Sequence, residues 1–297
     1  MRQADRGRRA RWRALPATIV RKRKGIVRTL NLMGHEVTLT APEGDYYLES
    51  MAPDGPAELV PVFEACCPQG GNVIDVGANI GITAIMAGLL TGSGRVIALE
   101  PVTETFGFLE RNVAQSGLSN VDCVRAAVSS APGSVDLITR PGSNFAAFVG
   151  YEDVLDRYPG YTQDAAPAVT MDDLVHGKGL HRLDFVKIDV EGYELEVLAG
   201  AKRALADFEP TVFLEANHYC LNVFRRISIV DFIESILATF PHVFAVDASF
   251  GVFDLTDAST HHAFFHENVV SGRFQNLLCG FSDSVPEIME RIRASPQ

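Results

Sequence analysis

Cysteine is sparse in this sequence. Cys66, Cys67, Cys123, Cys220 and Cys279 are the only five in 297 residues, an odd count with no C-x-x-C spacing. That excludes a disulfide scaffold and a thiolate zinc site, and it suits buried thiols in a reducing, cytoplasmic setting. Long apolar runs are lacking as well. The longest, Ile80–Leu90, has 11 residues and contains two glycines and a threonine, far short of the roughly 18 needed to cross a bilayer, so no transmembrane segment is expected. Ala14–Val20 is too short for the apolar region of a secretory leader and is broken by Pro16. The dinucleotide fingerprint G-x-G-x-x-G is missing too, which weakens the case for a pyrophosphate site.

Positive charge is scarce outside the first residues. Residues 1–28 hold eleven Arg and Lys against Asp5 alone, so of the overall net charge of −11 the remaining chain carries −21. An acidic body repels phosphate, and no nucleic-acid partner is expected for it. Residues 1–28 read as a solvated basic arm. Apolar residues make up 47% and charged residues 21%, the proportions of a folded globular chain, and residues 29–297 read as one domain.

Along the body, residues 29–70 read as a hairpin and helix region. His35–Thr40 alternates like a strand, Asp45–Met51 is expected to be a second short strand, and Ala57–Cys67 has helical spacing. From residue 72 onward strand and helix patterns alternate. Strands are expected at Asn72–Val76, Arg95–Leu99, Val121–Val128, Phe185–Val190, Thr211–Ala216, Val243–Asp247 and Asn276–Phe281, with Ser134–Thr139 as an edge element. The stretch 140–167, with Asn144, Phe145, Phe148, Tyr151, Tyr158 and Tyr161, reads as a long irregular aromatic loop of the kind used for binding. Alternation of this kind demands an α/β fold, a doubly wound and mostly parallel sheet with helices on both faces. Ligands in such sheets lie beyond the carboxyl ends of the strands.

Three strand ends carry chemistry. Asp75-Val-Gly77-Ala78-Asn79-Ile-Gly81 is a glycine-punctuated turn between a strand and a helix, where backbone and ligand can approach closely. An acid before the first glycine suits a ligand bearing an amine or a sulfonium. Glu100 ends the next strand, and a carboxylate there can accept both hydroxyls of a ribose. Phe185-Val-Lys-Ile-Asp189-Val-Glu191-Gly192 ends a buried strand on two carboxylates, costly without work or partners. Lys187 is a possible partner on the side of Asp189, and Glu215 is a further possible partner of Lys187.

Together these segments resemble the FkbM family of S-adenosylmethionine-dependent methyltransferases. The resemblance rests on DVGANIG at 75–81, LEP at 99–101, AAVS at 126–129, KIDVEGYELEVLAGA at 187–201 and FLEANH at 213–218. It implies a Rossmann-like class I methyltransferase fold, a seven-stranded sheet with an N-terminal extension, and S-adenosylmethionine as cofactor. By the same resemblance Asp75, Gly77, Ala78, Asn79 and Gly81 border the methionine part of the cofactor. Glu100 holds its ribose, Ala126 and Ala127 lie near its adenine, and Asp189 closes the site. The expected partner is a small-molecule hydroxyl acceptor, a sugar or secondary metabolite. No N-P-P-Y or D-P-P-Y motif points to an amino group on a nucleobase.

An alcohol is a poor nucleophile near neutral pH and needs a base or a metal. His218, just after a strand, is the expected base, with Asp189 and Glu191 as further catalytic carboxylates. Asp189, Glu215 and Asn217 are oxygen donors that would suit a hard divalent cation, a reading less favoured than the metal-free one. Two other function classes stay open on sequence: a nicotinamide-dependent oxidoreductase, disfavoured by the missing fingerprint and by Asp75, and a non-enzymatic binding module, which would need the cofactor loop to be vestigial.

Overall fold

The computed structural model describes residues 25–139, 147–148 and 159–294. Most of the basic arm and much of the aromatic stretch 140–158 lie outside the described residues.

Strands β1 (Ile26–Leu32) and β2 (His35–Ala41) form a hairpin. Met33 and Gly34 close it, both at positive φ, as a tight turn matching the strand twist requires. Arg28 sits inside β1 rather than in a free arm, and its guanidinium donates to the carbonyls of Leu48, Glu49 and Met51. Those carbonyls end helix α1 (Tyr46–Ser50). The segment expected to be a second strand is therefore helical: the Asp45 carboxylate accepts from the Leu48 amide and caps the helix, a local preference that outweighs its aromatic composition. Helix α2 (Val60–Cys66) follows.

The chain then alternates through β3 (Val73–Val76), α3 (Ile82–Thr91), β4 (Val96–Leu99), α4 (Thr103–Ser116) and β5 (Val121–Val124). The expected single strand 121–128 is broken after Val124. Its second half, β6 (Ala127–Val128), leaves the main sheet and joins a smaller one with β7 (Gly133–Thr139), β8 (Ala147–Phe148) and β9 (Thr162–Val169), in the order β6-β9-β7-β8. The last residues of the presumed loop 140–167 are thus strand from Thr162 onward.

Helix α5 (Met171–Gly177) leads to β10 (Phe185–Ile188), α6 (Glu194–Ala199), α7 (Lys202–Phe208) and β11 (Thr211–Glu215). The chain ends with the short helix α8 (His218–Cys220), α9 (Ile229–Leu237), β12 (His242–Val246), β13 (Val252–Asp254), α10 (His261–Ser271), β14 (Asn276–Gly280) and α11 (Ser284–Arg293).

The main sheet runs β13-β12-β14-β11-β10-β3-β4-β5. The five strands β5, β4, β3, β10 and β11 are parallel, and β14 runs antiparallel between β11 and β12. The fold is Rossmann-like, with the seven expected strands and one short edge strand, β13, beyond them. The chain winds outward from β3 through β4 and β5, then returns to lay β10 on the other flank of β3. The order reverses between β3 and β10, and ligands bind in the crevice at such a point.

Each strand feeds two cores. Ile74, Val76, Val186, Ile188 and Leu214 face the core built with α6, α7 and α9. Val73, Ala98, Phe185 and Phe213 face the core built with α2, α3, α4 and α11. Helix α3 is buried almost all round, which explains its apolar run. No helix among the described residues is long and apolar enough to cross a membrane.

The N-terminal hairpin packs Leu30, Leu32, Val37, Leu39 and Ala41 into the core shared with α3 and α4, and one side chain adds a buried polar link. Asn112, on α4, is fully buried; its Oδ1 accepts from the Thr40 amide and hydroxyl, both at 2.8 Å, and its Nδ2 donates to the carbonyls of Thr40 at 2.9 Å and Ile80 at 2.8 Å. Removing it strands four buried polar groups, each carrying about 1–3 kcal/mol of desolvation penalty. Asn112→Ala is expected to lower unfolding stability by about 3 kcal/mol or more, read from the urea midpoint at constant slope. A loss under about 1 kcal/mol would mean the hairpin is held by apolar contact alone.

Candidate active site

The switch point opens into a cavity of about 300 Å³ lined by the carboxyl ends of β3, β4, β10 and β11, a volume at the lower end for small-molecule sites. The sheet register places Asp75 on β3 directly beside Lys187 on β10. Both face an otherwise apolar layer, where an unpaired charge would be costly. The Lys187 ammonium answers this with three oxygens: it donates to the Gly77 carbonyl at 2.8 Å, and it lies 3.3 Å from Asp189 Oδ2 and 3.5 Å from Asp75 Oδ1. Burial works against its charge, but Asp189 and Asp75 overcome this and hold its pKa above the ordinary lysine value. The other Asp75 oxygen accepts from the Thr83 hydroxyl at 2.7 Å, at the start of α3. Asp75 is thus fully buried beneath the loop and is not on the cavity wall. Glu215 does not take the Lys187 partnership.

Gly77 is where the two strand ends meet. Its φ is +78°, and a Cβ built there would lie 1.9 Å from the Asp189 carbonyl oxygen. No larger residue fits without separating β3 from β10. Gly77, Ala78 and Asn79 line the cavity, whereas Gly81, at the head of α3, does not.

Glu100 closes the end of β4. Its Oε2 accepts from the Asn79 amide at 3.1 Å and its Oε1 from the Val102 amide at 2.9 Å. Burial pushes its pKa up to about 7 despite those two donors. Each oxygen keeps a lone pair for a further donor. The Asn79 Oδ1 is buried with no partner among the described residues. Ala126 and Ala127 enter the wall because the chain bends out of the sheet after β5.

At the other end the β10–α6 loop is held by Glu194, whose buried Oε1 accepts from the amides of Val190 at 3.3 Å and Gly192 at 3.1 Å. Burial raises its pKa to about 8. This staple presents Asp189 and Glu191 to the cavity, Glu191 with its backbone in the left-handed region at φ +55°, a conformation that a non-glycine residue holds only under constraint. The Cys220 thiol donates to Glu191 Oε2 at 2.9 Å. Burial, with Asp189 adding to it, raises the Glu191 pKa to about 7. Glu215 also lines the cavity; burial first and then Asp189 and Glu191 hold its pKa well above the carboxylate range.

His218 is not among the residues on the cavity wall. It opens α8 behind Asn217, whose side chain caps that helix, and its Nδ1 is buried without a partner among the described residues. Among the described residues no group of three or more His, Cys, Asp or Glu is arranged to hold a metal ion. Tyr47 from α1, Glu58 before α2 and Asn276 from β14 line the cavity and carry no local sequence signal, because each arrives from an element remote in sequence. Burial raises the Tyr47 phenol to about 12, even though Lys187 pulls the other way.

A family model described as the Methyltransferase FkbM domain matches residues 75–240. The chain is similar to methyltransferase sdnD of Sordaria araneosa, 29% identical over 158 residues, 45% of this chain and 61% of that protein. It is similar to the hexuronic acid methyltransferase AglP of Haloferax volcanii, 31% identical over 132 residues, 44% of this chain and 50% of that protein. The chain therefore spans about three fifths and one half of the length of these curated relatives. Among solved structures it is similar to an O-methyltransferase from Bacillus cereus in complex with SAH, with a TM-score of 0.42 and 14% identity, over 76% of this chain and 80% of that one.

The contact at Gly77 makes a sharp contrast with Gly107 on α4, where an added Cβ meets nothing within 4 Å. Gly77→Ala is expected to cost more than about 2 kcal/mol, outside the range of ordinary surface changes. Gly107→Ala is expected to be neutral or to stabilise by about 0.5–1 kcal/mol. Thermal unfolding of the two variants checks this, and equal midpoints would disprove the close approach.

Proposed function

Since the chain belongs to the FkbM methyltransferase family, we propose that it is an S-adenosylmethionine-dependent methyltransferase whose acceptor is a hydroxyl of a small molecule. The observation that carries this reading is the pair of carboxyl-lined ends of one cavity, Glu100 at one and Asp189, Glu191 and Glu215 at the other. When bound, S-adenosylmethionine supplies an electrophilic methyl carbon on a sulfonium.

The residues present fit that cofactor. Glu100, pinned by two backbone amides, offers its remaining lone pairs to ribose hydroxyls. The unpartnered Asn79 Oδ1 suits an ammonium donor. Ala126 and Ala127 give an apolar wall suited to a base. The Asp75–Lys187–Asp189 ion cluster keeps the loop in shape beneath the methionine part, so Asp75 acts through Lys187 and Thr83 rather than by touching the ligand.

The acceptor must lose its proton as its oxygen attacks. Glu191 is the best-suited base, since it lines the cavity and its pKa of about 7 leaves much of it ionised near neutral pH while keeping real basicity. Cys220 orients its carboxylate. His218, the base expected from sequence, is the second reading, favoured only by its unpartnered Nδ1.

Two measurements test these assignments. Glu100→Ala is expected to weaken S-adenosylmethionine binding at least about tenfold with the fold intact, since charge-assisted hydrogen bonds carry about 1.5–3 kcal/mol each. Calorimetry showing unchanged affinity would remove the ribose assignment, and tight NADH binding would replace the whole reading.

For the base, Glu191→Gln is expected to cut turnover by about 10²-fold or more with cofactor affinity unchanged, and His218→Ala to be nearly silent. The wild-type rate should climb as pH rises through about 7, because the base acts only once its carboxyl has lost its proton. The opposite ranking of the two variants would move the role to His218.

A further inference from the structure

Among the described residues five carboxyls line the cavity, those of Glu58, Glu100, Asp189, Glu191 and Glu215, against a single cation, Lys187. That cation is already spent: it sits between Asp189 and the buried Asp75. Glu100 has its own amides at the far end. The near end is therefore left with Glu58, Glu191 and Glu215 and no positive group among the described residues lining it. Among the described residues the Glu191 carboxylate accepts from the Cys220 thiol alone, a weak donor. Glu215 bears more of the imbalance: its Oε1 accepts from the Asn217 amide group at 3.3 Å, and its buried Oε2 meets no donor among the described residues. Tyr47 lines the same cavity.

Tyr47, Glu191 and Glu215 line the one cavity with Asp189, and burial first, with the charge of Asp189 adding to it, raises the pKa of each of the three. A cavity end that sinks the carboxyls of Glu191 and Glu215 with no cation beside them among the described residues gains free energy when a cation arrives. A sulfonium brings one positive charge, and Asp189 stands at the switch point to meet it. Glu191 and Glu215 remain. A tyrosine face beside carboxylates is the arrangement that recognises an ammonium.

Resting on the methyltransferase reading, we propose that the acceptor bears a protonated amine close to the hydroxyl that receives the methyl group, and that Glu215, with Glu58 and Tyr47, selects for it. An ammonium has no lone pair and cannot itself take the methyl. The methyl carbon leaves sulfur and bonds to the acceptor oxygen, the hydroxyl proton passes to Glu191, and the ammonium stays intact as the recognition element. Glu58 and Tyr47 come from the N-terminal region, outside the residues 75–240 that match the family model. Selectivity would then be written in a part of the chain separate from the cofactor loop.

The test uses the full chain with labelled S-adenosylmethionine and hydroxyl compounds matched in threes: glucosamine, glucose and N-acetylglucosamine; galactosamine, galactose and N-acetylgalactosamine. The expected result is kcat/KM at least tenfold higher for the amine than for the neutral parent or the acetylated form. The methyl group should be found on oxygen. Glu215→Gln and the exposed-site variant Glu58→Gln should each shrink that ratio toward one without changing the Kd for S-adenosylhomocysteine. Neutral parents that react as well as the amines overturn the proposal, as does a protein that binds S-adenosylhomocysteine yet takes none of the amines. The comparison with acetylated sugars is made on the wild type, so it holds even if a variant fails to fold. Failure of the underlying reading has a separate signature, no binding of S-adenosylhomocysteine by calorimetry.

Discussion

The ammonium of Lys187 is the point on which the site turns. It lies under the first strand–helix loop, buried in a layer that would otherwise be apolar, and it ties together Asp75 on one strand, Asp189 on the next and the Gly77 carbonyl between them. Lys187 and Asp75 are buried while Asp189 is half-exposed, so removing either buried partner leaves the other uncompensated in the interior, a situation that costs about 3–5 kcal/mol when a buried pair is broken. The geometry of the glycine loop follows from this cluster. Gly77 has no side chain because the Asp189 carbonyl occupies the space, and the two strand ends close on each other only because the charge between them is satisfied.

From that anchor the cavity extends both ways and becomes two different environments. Toward β4 the one carboxylate, Glu100, is fixed by backbone amides and keeps free lone pairs for hydroxyl donors. Toward β11 the carboxyls are crowded, buried and short of donors, and their pKa values rise in consequence. The first arrangement suits hydroxyl donors. The second, with carboxyls whose pKa values are raised by burial, suits a positive charge. Glu194 makes the division possible, because its buried carboxyl staples the loop that carries Asp189 and Glu191 without itself reaching the cavity wall.

Legibility in the sequence tracks how local each feature is. The strand–turn–helix at 73–82, the acid at Glu100 and the K-I-D-V-E-G run were readable, since period, glycine spacing and strand-end carboxylates are properties of neighbouring residues. The differences between expectation and structure have local causes too. Asp45 caps a helix where a short strand was expected after Gly44. Val121–Val128 splits because residues after Val124 pair with β9 instead of β4, and β9 is distant in sequence. His218 drew notice as a histidine after a strand, yet the turn capped by Asn217 takes it off the cavity wall.

The sequence by itself determined the alternation of elements, hence the parallel sheet, its switch point and the set of acids and glycines gathered there, because those follow from periodicity and from what a strand end can carry. Only the tertiary structure decided which acid serves which purpose. Asp75 and Asp189 share one lysine because the register sets β3 beside β10. Glu215 has no cation beside it among the described residues, since β11 lies on the flank of β10 away from Asp75. Tyr47, Glu58 and Asn276 complete the wall because a hairpin held by Asn112 and an antiparallel strand inserted beside β11 bring them there. Charge pairing and burial depend on distance in space, and one chain carries no direct record of distances between elements separated by a hundred residues or more.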